Sequence, residues 1–281
     1  MHDQTVLVTG CSSGIGRCVA LGLRDRGYRV LATARQADDL AALRAAGLTA
    51  IELHLDRPDS IAAAANTALE AADGYVWGVF NNGAYGQPGA VEDLTWAALE
   101  AQLRTNVLGW HELTRRLIPA MRERGAGRII QNSSVLGLVA MPFRGAYNCS
   151  KYALEGLSDT LRLELHGSGI WVSLIEPGPI ESRFRANAKQ KFAEYIDAEN
   201  SVHKTSYAAM AARLEQEGPT TTFTLPPEAV LTKVIHALES PRPRARYAVT
   251  VPTHVFTLLR RLLPTRQLDW LLRRAAGGGS R

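Results

Sequence analysis

Residues 5–27 read TVLVTGCSSGIGRCVALGLRDRG, a short apolar run, a turn rich in glycine and serine, and then apolar residues at helical spacing that close on Gly27. That order is strand, turn, helix. Gly10, Gly14 and Gly16 leave the turn without side chains, so its backbone N–H groups can approach a pyrophosphate and the helix can lie close to the strand. A plain tight turn would also use glycine. The strand before it and the helix after it are what a dinucleotide site requires in addition.

Outward from this unit the pattern repeats. Strands are predicted at Tyr28–Thr33, Thr49–Leu55, Val76–Phe80, Arg128–Gln131, Ile170–Ile175 and Arg246–Val251, and helices at 38–46, 59–72, 96–124, 144–167 and 226–238. Such alternation predicts one α/β domain, residues 1–254, with a parallel sheet covered by helices on both faces. Arg35 follows the second strand, where an acid would bond a ribose 2′-hydroxyl and an arginine would accept a 2′-phosphate. The spacing therefore favours NADP(H), with NAD(H) as the alternative and a merely solvated Arg35 as the plain reading. Asp56, past the third strand, can accept from an adenine amino group or cap the helix after Pro58. The fourth strand runs into NNGAYG, a polar break at the carboxyl edge of the sheet, where such folds bind ligands.

A second stretch, residues 132–151, reads NSSVLGLVAMPFRGAYNCSK. Tyr147 and Lys151 are four apart, so on a helix they share a face, and the ammonium can stabilise a phenolate that is otherwise a poor base near neutrality. Ser134, at the end of the fifth strand, adds a hydroxyl. Asn106 stands within the long helix, where an amide is ordinarily satisfied by local hydrogen bonds.

Composition excludes several classes. The net charge of +5 is concentrated in the tail, where Val255 to Arg281 holds six arginines against Asp269, and no nucleic-acid-binding signature accompanies it. Three cysteines, Cys11, Cys18 and Cys149, make no disulfide framework and no metal-ligand spacing appears, so a reducing, cytoplasmic setting without a metal is expected. Neither a secretory signal nor eighteen consecutive apolar residues is present. Residues 184–225 are polar and helical with scattered aromatics and Met210, a candidate lid over an apolar substrate, with no evident charge cluster to fix an anion. The tail, 255–281, is basic and amphipathic. It fits a peripheral membrane contact, a cover for a neighbouring subunit, or a helix packed on its own domain. The final GGGSR is left out of the fold reading.

From about Thr5 to Ser182 the chain resembles the classical short-chain dehydrogenases/reductases: TGCSSGIG at 9–16, Asn106, Ser134, YNCSK at 147–151 and PGPIES at 177–182. The resemblance implies a Rossmann-type doubly wound sheet of seven parallel strands in the order 3-2-1-4-5-6-7. It also implies Tyr147 as general acid/base, Ser134 holding the substrate oxygen, and Lys151 binding the nicotinamide ribose and lowering the tyrosine pKa. Asn106 would support a water linking Lys151 to solvent. The cofactor would lie against Gly10, Ser12, Ser13, Gly14, Ile15, Gly16, Asn82, Pro177, Gly178, Ile180 and Ser182, with Arg35 and Asp56 toward the adenosine. Two departures stand out: the family's Asn-Asn-Ala-Gly reads Asn81-Asn82-Gly83-Ala84, and its usual threonine is Ser182. YGQPGAVEDL and the basic tail look like members acting on retinoids and hydroxysteroids. The expected activity is NADP(H)-dependent interconversion of an apolar alcohol and its ketone or aldehyde, in a homodimer or homotetramer. A non-catalytic dinucleotide-binding regulator or scaffold, or an epimerase or dehydratase retaining its cofactor, are the alternatives.

Overall fold

Val6, Leu7 and Val8 are all buried because β1 (Thr5–Val8) runs through the middle of the sheet, hydrogen-bonded on either side. The computed structural model describes residues 4–215, 218 and 221–276. Around β1 stand β2 (Arg29–Ala34), β3 (Thr49–Glu52), β4 (Gly78–Asn81), β5 (Gly127–Asn132), β6 (Ile170–Glu176) and β7 (Arg246–Ala248), all parallel, in the order β3-β2-β1-β4-β5-β6-β7. This is the expected seven-stranded Rossmann-type order.

Alternation of side chains along each strand divides the core in two. Val6, Val8, Val30, Ala32 and Phe80 pack on one face with α1 (Gly14–Asp25), α2 (Ala37–Ala45) and α9, a helix at Glu228–Glu239. Leu7, Leu31, Ile51, Val79 and Ile129 pack on the other with α3 (Pro58–Ala71), α5 (Gly109–Arg124) and α6 (Gly145–Glu164). Strands buried on both faces read as continuous apolar runs, which is why TVLV carries no alternation of its own.

Four local expectations are corrected. The helix foreseen over 96–124 is two, α4 (Trp96–Leu103) and α5, joined by a π-helical turn at Arg104–Leu108. Gly109 lies against the chain at Leu55, where an added Cβ would come within 2.0 Å of the Leu55 carbonyl oxygen, and only a glycine admits that approach. β3 stops at Glu52 rather than Leu55, although Leu53 and Leu55 remain buried. β7 stops at Ala248 rather than Val251, because the chain turns there into α10 (Val251–Leu262), whose Pro252 in the first turn has no N–H to give a ladder. The expected start of the tail at residue 255 therefore falls inside a helix.

Helices α7 (Phe184–Tyr195) and α8 (Lys204–Glu215) form the segment expected as a lid. Tyr207 pins it: buried against Phe143 and Phe192, its hydroxyl donates to Asp93 and accepts from the Ala90 N–H at 2.9 Å. Ser201 adds a 2.6 Å bond to the same carboxylate. Of the three readings of the tail, packing on its own domain accounts for Phe256 and for Leu268 and Leu272 of α11 (Thr265–Ala275), which sit against Val135 and Val139. Val251, Val255, Leu258 and Leu262 of α10 stay exposed. Residues 216–217, 219–220 and 277–281, within the expected lid and tail, lie outside the described residues.

Behind α6 lies an ion cluster. Arg246 of β7 reaches Glu155 and Asp159 of α6 and Glu176 at the end of β6, with Asp159 at 2.7 Å and Glu176 at 2.6 Å. Burial pushes the Glu176 carboxyl up to about 7, helped by the Glu155 charge and opposed by the Arg246 guanidinium. Removing one member of such a set leaves buried charge uncompensated, so the cluster fixes β6, β7 and α6 relative to one another.

Candidate active site

The glycine-rich turn is held from beneath by Thr9 and Asn82. Thr9 Oγ1 accepts from the N–H groups of Asn82 (2.8 Å) and Gly83 (2.9 Å), while Asn82 Nδ2 donates to the carbonyls of Thr9 (3.0 Å) and Gly10 (3.3 Å). Asn82 Oδ1 accepts from Asn132 Nδ2 at 2.9 Å, which ties the turn to the end of β5. Gly10 adopts φ 71°, and a Cβ there would lie 2.5 Å from the Gly83 Cα. A Cβ on Gly83 would itself meet Leu55 Cδ1 at 2.9 Å and the Gly10 nitrogen at 3.3 Å. Gly83 is not among the residues of positive φ; it is small because Gly10 and Leu55 crowd it.

Residues of the turn fit a bound dinucleotide. A Cβ on Gly16 would meet the Gly10 carbonyl oxygen at 2.1 Å, so helix and turn interlock only with hydrogen there. Ser13 precedes α1 without a side-chain capping bond, which leaves the first-turn N–H groups and the positive end of the helix dipole to an anion. Ser12 is exposed, and Ile15 and Ile180 lean on the core. Ser182 faces Gly14, whose added Cβ would be 3.0 Å from the serine Cβ, so the turn and the Pro177–Ser182 loop meet. Gly178 backs onto Thr250, and Pro177 offers its carbonyl to the Val135 N–H at 2.8 Å. Arg35 is exposed past β2. Asp56 is exposed as well, and the capping alternative for it falls away, since Arg57 occupies the cap position of α3.

Lys151 is buried one turn beyond Tyr147 on α6. Its Nζ donates to the Asn132 carbonyl at 2.7 Å, sits 4.4 Å over the Trp110 ring and lies 5.6 Å from the Tyr147 ring centroid. Burial pulls the ammonium down to about 7, against the Glu155 carboxylate, which favours the charged form. Tyr147 is also buried, and desolvation raises its phenol while the Ser134 hydroxyl beside it lowers it. Ser134 Oγ accepts from the Leu136 N–H at 3.1 Å. Asn106 is placed one layer back, in the π-helical turn: Nδ2 donates to the Tyr85 carbonyl (2.9 Å) and to Ser150 Oγ (3.1 Å), and Ser150 donates to the Tyr147 carbonyl at 2.8 Å. Asn106 thus reaches the Tyr147 carbonyl through Ser150.

Above Tyr147 opens a cavity of about 80 Å³ lined by Gly86, Pro88, Leu136, Arg144, Phe184, Arg185, Ala188 and Leu214. Phe184 meets the Tyr147 ring edge-on with centroids 5.3 Å apart. Trp110, Asn132, Thr9, Phe184 and Arg144 were not singled out from sequence. Asn132 carried a signal, its place next to the two serines; Trp110 carried none, because only the packing of α5 on α6 puts its ring under the lysine.

A sequence profile described as short chain dehydrogenase matches residues 4–193. The Escherichia coli K12 protein described as uncharacterized oxidoreductase YbbO is 44% identical over 270 residues, 96% of this chain and 94% of that one. Rat 17-beta-hydroxysteroid dehydrogenase type 6 is 33% identical, covering 97% of this chain and 88% of its own. Among solved structures, a Burkholderia phymatum short chain dehydrogenase/reductase in complex with NAD superposes with TM-score 0.78 at 25% identity over 95% of both chains. Actinorhodin polyketide ketoreductase, solved with NADPH, gives 0.70 at 27% identity over 88% of this chain and 95% of its own. Relatives of this fold thus carry either nicotinamide nucleotide.

The depressed Lys151 pKa has a measurable consequence for stability. Between about 7 and the ordinary 10.5 the unfolded chain holds a proton that the folded chain has released, so stability rises with pH across that window and the burial cost is fully present below it. Wild type should gain on Lys151→Met by up to about 1.4 kcal/mol per pH unit in urea unfolding between those limits. A difference that stays flat from pH 7 to pH 10 contradicts the buried ammonium.

Proposed function

We propose that this chain, which belongs to the short chain dehydrogenase family and is an NAD(P)-dependent oxidoreductase, interconverts an alcohol and its aldehyde or ketone with NADP(H) on a largely apolar substrate. The observation that carries the reading is the meeting of Tyr147, which lines the cavity, with the Ser134 hydroxyl hydrogen-bonded to it and with the Lys151 ammonium 5.6 Å from its ring centroid. When bound, the nicotinamide supplies or accepts the hydride at the carbon. Ser134 and Tyr147 polarise the oxygen, and Tyr147 transfers the proton, giving it up as a carbonyl is reduced. Burial holds the phenol protonated, the form that reduction needs. Lys151 spends one N–H on Asn132, which leaves donors for the ribose hydroxyls. Phe184 and Leu136 exclude water from the reacting carbon.

NADP(H) is favoured by charge. Arg35 follows β2 between Ala34 and Gln36, so a guanidinium rather than a carboxylate stands at the strand end where a 2′-phosphate would lie. The lid at 184–225 forms the substrate wall, and Leu108, Leu157 and Leu163, exposed on the π-turn and α6, suit pairing of subunits.

No helix among the described residues is long and apolar enough to cross a membrane. In a cytoplasmic setting the tail suits peripheral contact with an anionic lipid surface. Val251, Val255, Leu258 and Leu262 form one exposed stripe on α10, with Arg260 and Arg261 beside it and Arg266, Arg273 and Arg274 on α11.

Three outcomes are expected. Tyr147→Phe lowers turnover of aldehydes and ketones with NADPH by about 10²–10⁴-fold, and unchanged turnover rejects the assignment. Arg35→Asp moves the NADPH-over-NADH preference in kcat/KM by about tenfold, the effect of about 1.4 kcal/mol, and an unmoved ratio removes Arg35 from the site. Sedimentation with phosphatidylserine vesicles is reduced in the Val255→Glu, Leu258→Glu double variant; equal sedimentation of both proteins, or none by wild type, dismisses the lipid contact.

A further inference from the structure

Arg144 stands immediately before α6, three residues ahead of Tyr147, and both line the same cavity. Its surroundings are unusual for a guanidinium. Nη1 donates to the Phe143 carbonyl at 3.1 Å and touches the Met210 sulfur at 3.4 Å, and no carboxylate pairs with it among the described residues. A guanidinium carries five N–H donors, so most of its capacity faces the cavity or goes unused. Burial lowers the Arg144 pKa, and the nearby Arg213 lowers it further, so its neighbourhood adds positive charge rather than relieving it. Arg185, which donates to the Gly218 carbonyl, is the other charged residue lining the cavity, and no acid lines it among the described residues.

The backbone that presents Arg144 is built for the purpose. Phe143 has φ 59°, a left-handed conformation that a bulky side chain adopts only when its surroundings impose it. Here the surroundings do so: the Gly89 N–H donates to the Phe143 carbonyl at 3.1 Å, and the ring is wedged edge-on against His203 at 5.4 Å and Tyr207 at 5.8 Å. Strain held in place by the lid thus ends in an unpaired charge beside the reacting phenol.

We infer that the substrate is amphiphilic: its carbonyl or hydroxyl reaches Tyr147, its apolar part lies along Phe184, Leu136 and Leu214, and a carboxylate on the same molecule pairs with Arg144. This rests on the oxidoreductase reading above and narrows it from apolar carbonyls to oxo acids and the corresponding hydroxy acids. A buried partner for an unpaired guanidinium is what the site lacks, and a planar carboxylate matches its paired donors. Reduction remains balanced as before. The carbonyl carbon takes the hydride of NADPH and its oxygen takes the Tyr147 proton, which solvent replaces, while the carboxylate is unchanged.

A series of straight-chain oxo acids of increasing length, each beside its methyl ester, tests this, because esterification removes the charge and little else. With NADPH and wild type, the best acid should exceed its ester in kcat/KM by roughly ten- to hundredfold. Arg144→Met should bring that ratio close to one, and Arg144→Lys should restore part of it. If every acid in the series is reduced no faster than its ester by wild type, or if Arg144→Met leaves the ratio intact, this inference fails while the oxidoreductase reading stands on the ester turnover. Turnover of neither acids nor esters overturns both.

Discussion

Lys151 is an ammonium taken almost wholly out of water, and the hydrogen bond from its Nζ to the Asn132 carbonyl is the contact around which the candidate site is assembled. Desolvation works against the charge, as its lowered pKa records. Three features offset that cost: the carbonyl acceptor, the Trp110 face below, and the Glu155 carboxylate one turn further along α6. Each comes from a different part of the chain. The lysine can therefore be ionised in the interior only when β5, α5 and α6 are docked together.

The same docking carries charge outward in both directions. Glu155 belongs to the cluster with Arg246, Glu176 and Asp159, so the field at Lys151 is anchored in β6 and β7. On the other side, Asn132 bonds Asn82, which in turn holds the Thr9 and Gly10 carbonyls. One chain of polar contacts thus runs from the last strand of the sheet, under the lysine, to the glycine-rich turn beside β1. Burying polar groups is costly unless they are hydrogen-bonded, and the sheet order brings partners for Lys151 Nζ and Asn132 Nδ2 to one edge.

The opposite wall is made differently. Packing of Tyr207 and Phe143 fixes the helical segment after β6, and this segment gives the cavity Phe184 and Leu214. Tyr207 and Ser201 also bond Asp93 here, and of the two arginines on this wall Arg144 has no carboxylate partner among the described residues. The surroundings of Lys151 and the opposite wall are therefore supported by separate sets of interactions, the first centred on the buried ammonium and the second on Tyr207.

Sequence alone determined the repeating strand and helix units, the glycine turn and the Tyr147–Lys151 pair. Each of these is a local pattern: hydrophobic period, absence of a Cβ, and one helical turn between side chains. The strand order came from the family's motifs. Breaks in regular structure were not legible, because the π-helical turn before Gly109 and the early end of β7 answer to contacts with Leu55 and to the onset of α10. Nor were the neighbours of Gly83, which are Leu55 and Gly10, with no positive backbone angle involved. Trp110 beneath the ammonium, the Asn82–Asn132 link and the unpaired Arg144 opposite Leu214 were decided only by tertiary structure. They join residues between about forty and seventy positions apart, and no spacing in a linear chain encodes which side chains meet once apolar faces have been buried.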